Sequence, residues 1–96
     1  SALEDAQRKS IKVKSLPDGR VRYYEKMRPA KSPGETIGSS YVTEYNTRTG
    51  QVRSWNESYN KVGNVNRVNP KMIDGKKVTS THYPMTQKEI ELFKNK

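Results

Sequence analysis

"SYVTEYNTRTGQVRSWNESYNKVGNVNRVNPK", Ser40–Lys71, decides the fold. Through it, β-branched and aromatic residues alternate with polar and charged ones, the period-two pattern of a strand that shows a different side chain to each face. Two glycines punctuate it. Asn46-Thr47-Arg48-Thr49-Gly50-Gln51 suits a four-residue hairpin loop ending in a left-handed Gly, and Tyr59 to Asn64 repeats the pattern. Three antiparallel strands are expected, at about 40–46, 51–59 and 64–69, with Pro70 ending the last because it has no N–H to donate. The loops imply a register in which Glu44 faces Arg53, Val42 faces Trp55, Glu57 faces Asn66 and Asn56 faces Arg67. One face then holds Val42, Glu44, Arg53, Trp55, Glu57, Tyr59, Asn66 and Val68. The other holds Tyr41, Thr43, Tyr45, Val52, Ser54, Asn56, Ser58, Val65, Arg67 and Asn69. Neither is cleanly apolar, so the pattern leaves open which one covers a core.

Upstream, "IKVKSLPDGRVRYYE" (Ile11–Glu25) reads as a hairpin around the Pro17-Asp18-Gly19 turn. "KMRPAKSPGETIGS" (Lys26–Ser39) reads as a loop punctuated by Pro29, Pro33, Gly34 and Gly38. Residues 1–15 form a mobile or weakly helical lead-in whose apolar stripe is thin. Downstream, Asp74-Gly75 is a further turn and Lys77 to Thr79 a short strand. Thr86-Gln87-Lys88-Glu89 is a capping box opening a helix with Ile90, Leu92 and Phe93 on its apolar side. The fold class is therefore α+β, a small twisted antiparallel sheet with one or two helices.

The chain has 96 residues, 30% of them hydrophobic, and a formal charge of +9 from 19 Lys+Arg against 10 Asp+Glu. Low hydrophobicity with high charge also marks disordered chains. Six Tyr, one Trp and the strand periodicity weigh toward a fold. The charge favours polyanions as partners. Cysteine is absent, which excludes disulfides and thiolate metal sites, and one histidine with no cysteine excludes zinc-finger types. No signal peptide or membrane span is evident, and with a Ser-Ala start the chain is expected to be a fragment of something larger.

Glu44 opposite Arg53 reads either as a cross-strand ion pair or as a carboxylate beside a phosphate-binding guanidinium. RNA cleavage without metal needs a base for the 2′-OH, an acid for the leaving 5′-oxygen and cations for the charge on phosphorus. His82, the single histidine, suits acid or base, or is a surface histidine. Arg67 and Lys71 suit phosphate contacts, or are solvated. Trp55 suits core or a base-stacking platform, and Tyr41, Tyr45 and Tyr59 are equally open.

"YVTEYNTRTGQVRSWNESYNKVGNVNRVNPKMIDG" (Tyr41–Gly75), followed by "HYP" (His82–Pro84), resembles the C-terminal toxin domains of bacterial polymorphic toxins, including contact-dependent growth inhibition proteins and Gram-positive secreted toxins. "LPDGRVRYYEKMRPAKSPGETIGSSYVTEYN" (Leu16–Asn46) fits the same pattern, so the resemblance spans roughly Leu16 to Ile90. It implies a toxin nuclease domain over 16–96 with a barnase/colicin/RelE-like sheet and helix. It also implies a ribonuclease that is secreted within a larger toxin and acts on tRNA or rRNA in the target-cell cytoplasm. An acidic cognate immunity protein would neutralise it, and no cofactor is expected. Glu44 matches the family's "TEYN", Glu57 its "ESY", Arg67 and Lys71 its "NRV-PK", and His82 its "HYP". The resemblance often puts His, in relatives, where this chain has Asn69, which is then either a substitution that disarms the toxin or a natural variant that uses another acid. The expected catalytic set is His82, Glu57, Glu44, Arg67, Asn69 and Lys71, with Arg53, Trp55 and Lys61 binding RNA. The alternatives are a nucleic-acid-binding module without chemistry, or a DNase toxin.

Overall fold

The computed structural model describes residues 1–78. His82 and the helix expected from Thr86 lie outside them. The described chain runs α1 (Ala2–Lys9), β1 (Lys12–Ser15), β2 (Arg20–Tyr24), β3 (Arg28–Pro29), β4 (Thr36–Asn46), β5 (Val52–Asn60), β6 (Val65–Ile73) and β7 (Lys76–Lys77). All seven strands join one antiparallel sheet in the order β1-β2-β4-β5-β6-β7, with β3 paired to β4 beside β2. Among the described residues this is a sheet with one short helix, in keeping with the α+β class.

Ser1 caps α1 through a capping box. Its hydroxyl accepts from the Glu4 N–H while the Glu4 side chain reaches back to the cap. Only Ala6 is buried, and Gln7 Nε2 donates to the Tyr23 hydroxyl (3.2 Å), which ties α1 to β2. The 1–15 lead-in thus contains a capped helix and the edge strand of the sheet.

The hairpin at Pro17-Asp18-Gly19 forms as expected, with Gly19 at φ +91. The stretch expected as a loop gives up more residues to pairing. Arg28 and Pro29 pair with Ser39 and Gly38, and β4 begins at Thr36. Gly38 makes that crossing possible, since a Cβ there would lie 2.7 Å from the Arg28 carbonyl oxygen.

The β4–β5 turn closes as predicted. Asn46 Oδ1 accepts from the Arg48 and Thr49 amides, Gly50 sits at φ +79, Glu44 faces Arg53 and Val42 faces Trp55. The β5–β6 turn is one residue shorter than expected. The Asn60 amide donates to Asn64, so Lys61, Val62 and Gly63 form the loop. A register shift between Ser58 and Tyr59 then adds a second displacement of one residue. The two shifts restore the side-chain alternation but move the partners of Trp55 to Ser58 by two. Glu57 therefore faces Val68 instead of Asn66, and Asn56 faces Asn69 instead of Arg67. Val65, beside the shift, packs against the core and not on the face expected for it.

Pro70 does not end β6, which continues to Ile73. It sits opposite Trp55 beside a second irregularity, between Ser54 and Trp55, where a missing N–H is tolerated. Asp74 (φ 49) and Gly75 (φ 80) make the final two-residue turn.

The undecided question of faces is settled by packing. The core face carries buried Val42, Trp55 and Val68, with Tyr24 and Val65 against them. On the opposite face, α1 lies over Thr43 and Ser54. No helix of the described residues is long and apolar enough to cross a membrane.

Candidate functional site

The sheet separates the expected site residues into two sets. Glu44, Arg53, Trp55 and Glu57 share the core face. Arg67, Asn69 and Lys71 are not with them.

On the core face, Glu44 is 2% exposed and answers to three arginines. Arg53 Nε donates to Oε1 (2.8 Å), while Arg22 Nε (2.9 Å) and Arg20 Nη1 (3.3 Å) donate to Oε2. Burial pushes its carboxyl up, but the hydrogen bonds and charges of Arg53 and Arg22 outweigh that and hold it below the usual carboxylate value. The Arg22 and Arg53 guanidiniums also lie 5.2 and 5.5 Å from the Trp55 ring centroid. Trp55 Nε1 donates to Glu57 Oε1 (2.8 Å) and the Tyr59 hydroxyl to Glu57 Oε2 (2.7 Å). Burial, and then the neighbouring Glu57, push the Tyr59 hydroxyl up despite a bond with Ser40. Trp55, 2% exposed, is core. The four oxygens of Glu44 and Glu57 all accept hydrogen bonds, which is why a sheet with so little apolar surface can bury two carboxylates.

The helix face is built differently. Its rows run across the sheet as Ser39–Ser58–Arg67, then Tyr41–Asn56–Asn69, then Tyr23–Thr43–Ser54. Arg28, carried in by β3, donates from Nη2 to Asn56 Oδ1 (3.0 Å). The Thr43 and Ser54 hydroxyls are 3.3 Å apart and buried. Asn69 and Lys71 line a depression of about 470 Å³ with Tyr41 and Lys77. A smaller one, about 170 Å³, lies beside α1 and is lined by Lys9, Glu25, Tyr41, Thr43 and Ser54 among others. Arg67 is exposed on this side, opposite Ser58. Lys61 stands at the tip of the β5–β6 turn and lines a separate depression with Gly34 and Glu35.

Sequence reasoning passed over Arg28 and Glu25. Glu25 closes the stretch read as a hairpin and Arg28 lies in the stretch read as loop, and pairing with β4 brings both to this face. No group of three or more His, Cys, Asp or Glu placed to hold a metal occurs among the described residues.

No protein-family profile, curated protein or solved structure matches this chain.

Proposed function

We propose that this chain is the ribonuclease domain of a bacterial polymorphic toxin, holding RNA on the helix face and cleaving it without a metal. The observation that carries this reading is the open face itself. Asn56 and Asn69 sit side by side there, flanked by Arg28, Arg67 and Lys71, on a chain of net charge +9. Cations and amides on an accessible face suit a phosphodiester backbone and its bases. Lys71 and Arg67 stabilise charge on the phosphate, and His82 supplies acid or base. The buried Glu44 and Glu57 networks hold the strands beneath this face. The antiparallel sheet with a helix laid on it accords with a barnase/colicin/RelE-like arrangement.

In this reading the domain travels within a secreted toxin, acts on tRNA or rRNA in the target-cell cytoplasm and is neutralised by an acidic immunity protein. The charge favours fast association with such a partner.

Incubation with total RNA in EDTA tests the reading, with discrete fragments as the expected result. Retardation without cleavage would instead identify a nucleic-acid-binding module, and metal-dependent DNA nicking a DNase. His82→Ala is expected to lower cleavage by about 10²–10⁴-fold. Unchanged cleavage would remove His82 from the mechanism.

A further inference from the structure

We propose that the end of the sheet formed by the β3–β4 loop and the β5–β6 turn docks on the surface of an anionic lipid bilayer. Such docking is independent of the ribonuclease reading and involves no residue of the helix face. Pairing of Thr36 with Asn60 brings the loop and the turn side by side. Lys61 borders both. It lines one depression of about 580 Å³ with Val62, and another of about 480 Å³ with Ala30, Lys31, Pro33 and Ile37. Val62 is 82% exposed at the tip of the turn, and Ile37 is exposed as well. Aliphatic side chains gathered in water at one place and rimmed by cations mark a contact surface.

The turn itself does not call for an apolar tip. It is closed by Asn60, whose side chain accepts from the Val62 and Asn64 amides, and by Gly63 at φ +87. The Val62 side chain has no part in that closure. At the opposite end of the sheet, the β4–β5 turn carries Thr47, Arg48 and Thr49 at its tip and no apolar side chain.

Side-chain chemistry selects the partner. RNA bases stack on aromatic rings. Protein interfaces favour Trp, Tyr and Arg, and are depleted in Lys. This end presents aliphatic groups beside Lys31 and Lys61, against one carboxylate, Glu35. Aliphatic side chains enter the boundary between headgroups and acyl chains, and lysines beside them meet the lipid phosphates. The net charge of +9 adds long-range attraction to the same surface.

The test is sedimentation of the full chain with vesicles of phosphatidylcholine, alone or mixed with phosphatidylglycerol, at fixed salt. Binding is expected to the mixed vesicles and not to phosphatidylcholine alone. Lys61→Ala and Lys31→Ala are each expected to lower partitioning about fivefold, the effect of one cation near an anionic surface. Val62→Asp is expected to lower it about tenfold. Arg48→Ala removes the same charge from the opposite end and should stay near wild type. Equal losses in Arg48→Ala and Lys61→Ala would mean that the bilayer meets overall charge only, and would overturn the proposal. So would a chain that stays in solution with the mixed vesicles. The chain has no cysteine, so a polarity-sensitive dye can be attached to Val62→Cys or to Arg48→Cys alone. Its emission should shift to the blue on mixed vesicles at position 62 and not at 48, and an unshifted dye at 62 also overturns the proposal. A loss of RNA retardation in Val62→Asp equal to its loss on vesicles would assign this end to nucleic acid instead. Cleavage of RNA in EDTA is read separately. Val62→Asp should cleave as the wild type does, and a wild type that cleaves no RNA overturns the ribonuclease reading alone.

Discussion

Glu44 and Glu25 are carboxylates on neighbouring strands, and the sheet treats them in opposite ways. Glu44 points to the core face, where three arginines surround it and an indole packs against two of them. Glu25 points to the helix face, where α1 leaves a depression open beside it. The same contrast holds for the neutral polar residues. On the core face, Ser40, Tyr59 and the Trp55 indole are tied to one another through Glu57 or buried against it. On the helix face, Asn56 and Asn69 line up across adjacent strands beside cations. Burial and pairing turn charge into structure, and exposure leaves it available for a ligand.

Breaking the core face is expected to have the largest effect. Glu44→Gln leaves three guanidiniums around a neutral amide and should destabilise the fold by about 3–5 kcal/mol in urea titrations. A loss well under 1 kcal/mol would mean that the cluster contributes little. The same variant tests the pH dependence. The Glu44 carboxyl is held below its ordinary value of 4.5 in the folded chain, so its stabilisation is fully present above that value. It is lost as pH falls through the lower folded value. Glu44→Gln should therefore flatten the acid side of the stability profile, and an unchanged acid limb would assign that limb to other groups. Trp55→Ala removes the largest buried side chain and should cost a similar 3–5 kcal/mol, read from the same titrations.

Changes on the helix face should sharpen the contrast by sparing stability. Lys71→Ala is expected to weaken RNA binding at all sequences and to reduce the salt slope of log K by about 0.7, the value for one single-strand phosphate contact. A slope identical to wild type would remove Lys71 from the backbone contacts. Asn69→His should change stability by no more than about 0.5 kcal/mol while raising the cleavage rate. An unchanged rate would show that Asn69 is not what limits activity.

Much of the scaffold was legible from residue order. The Asn46–Gln51 loop, the Glu44–Arg53 and Val42–Trp55 pairs and the turns at Gly19 and Gly75 all depend on local chemistry, chiefly side chains that bond nearby amides and glycines that tolerate positive φ. The β5–β6 partners were not legible. The Asn60 side chain accepts from Val62 and Asn64 and so closes a shorter loop than the Gly spacing implies, and a compensating shift beside Tyr59 leaves no mark in the alternation. That displacement brings Asn69 opposite Asn56 and creates the row on which the candidate site is built. The pairing of β3 was hidden as well, because a two-residue strand carrying a proline has no periodicity to detect.

By itself, the sequence determined the period of the strands, the positions of most turns and a charge suited to polyanions, because each is a property of neighbouring residues or of composition. Tertiary structure decided which face became core, that Glu44 was consumed by arginines and that Glu25 came to lie beside an open depression. Those outcomes depend on what each face is packed against, and residues far apart in the chain supply that packing.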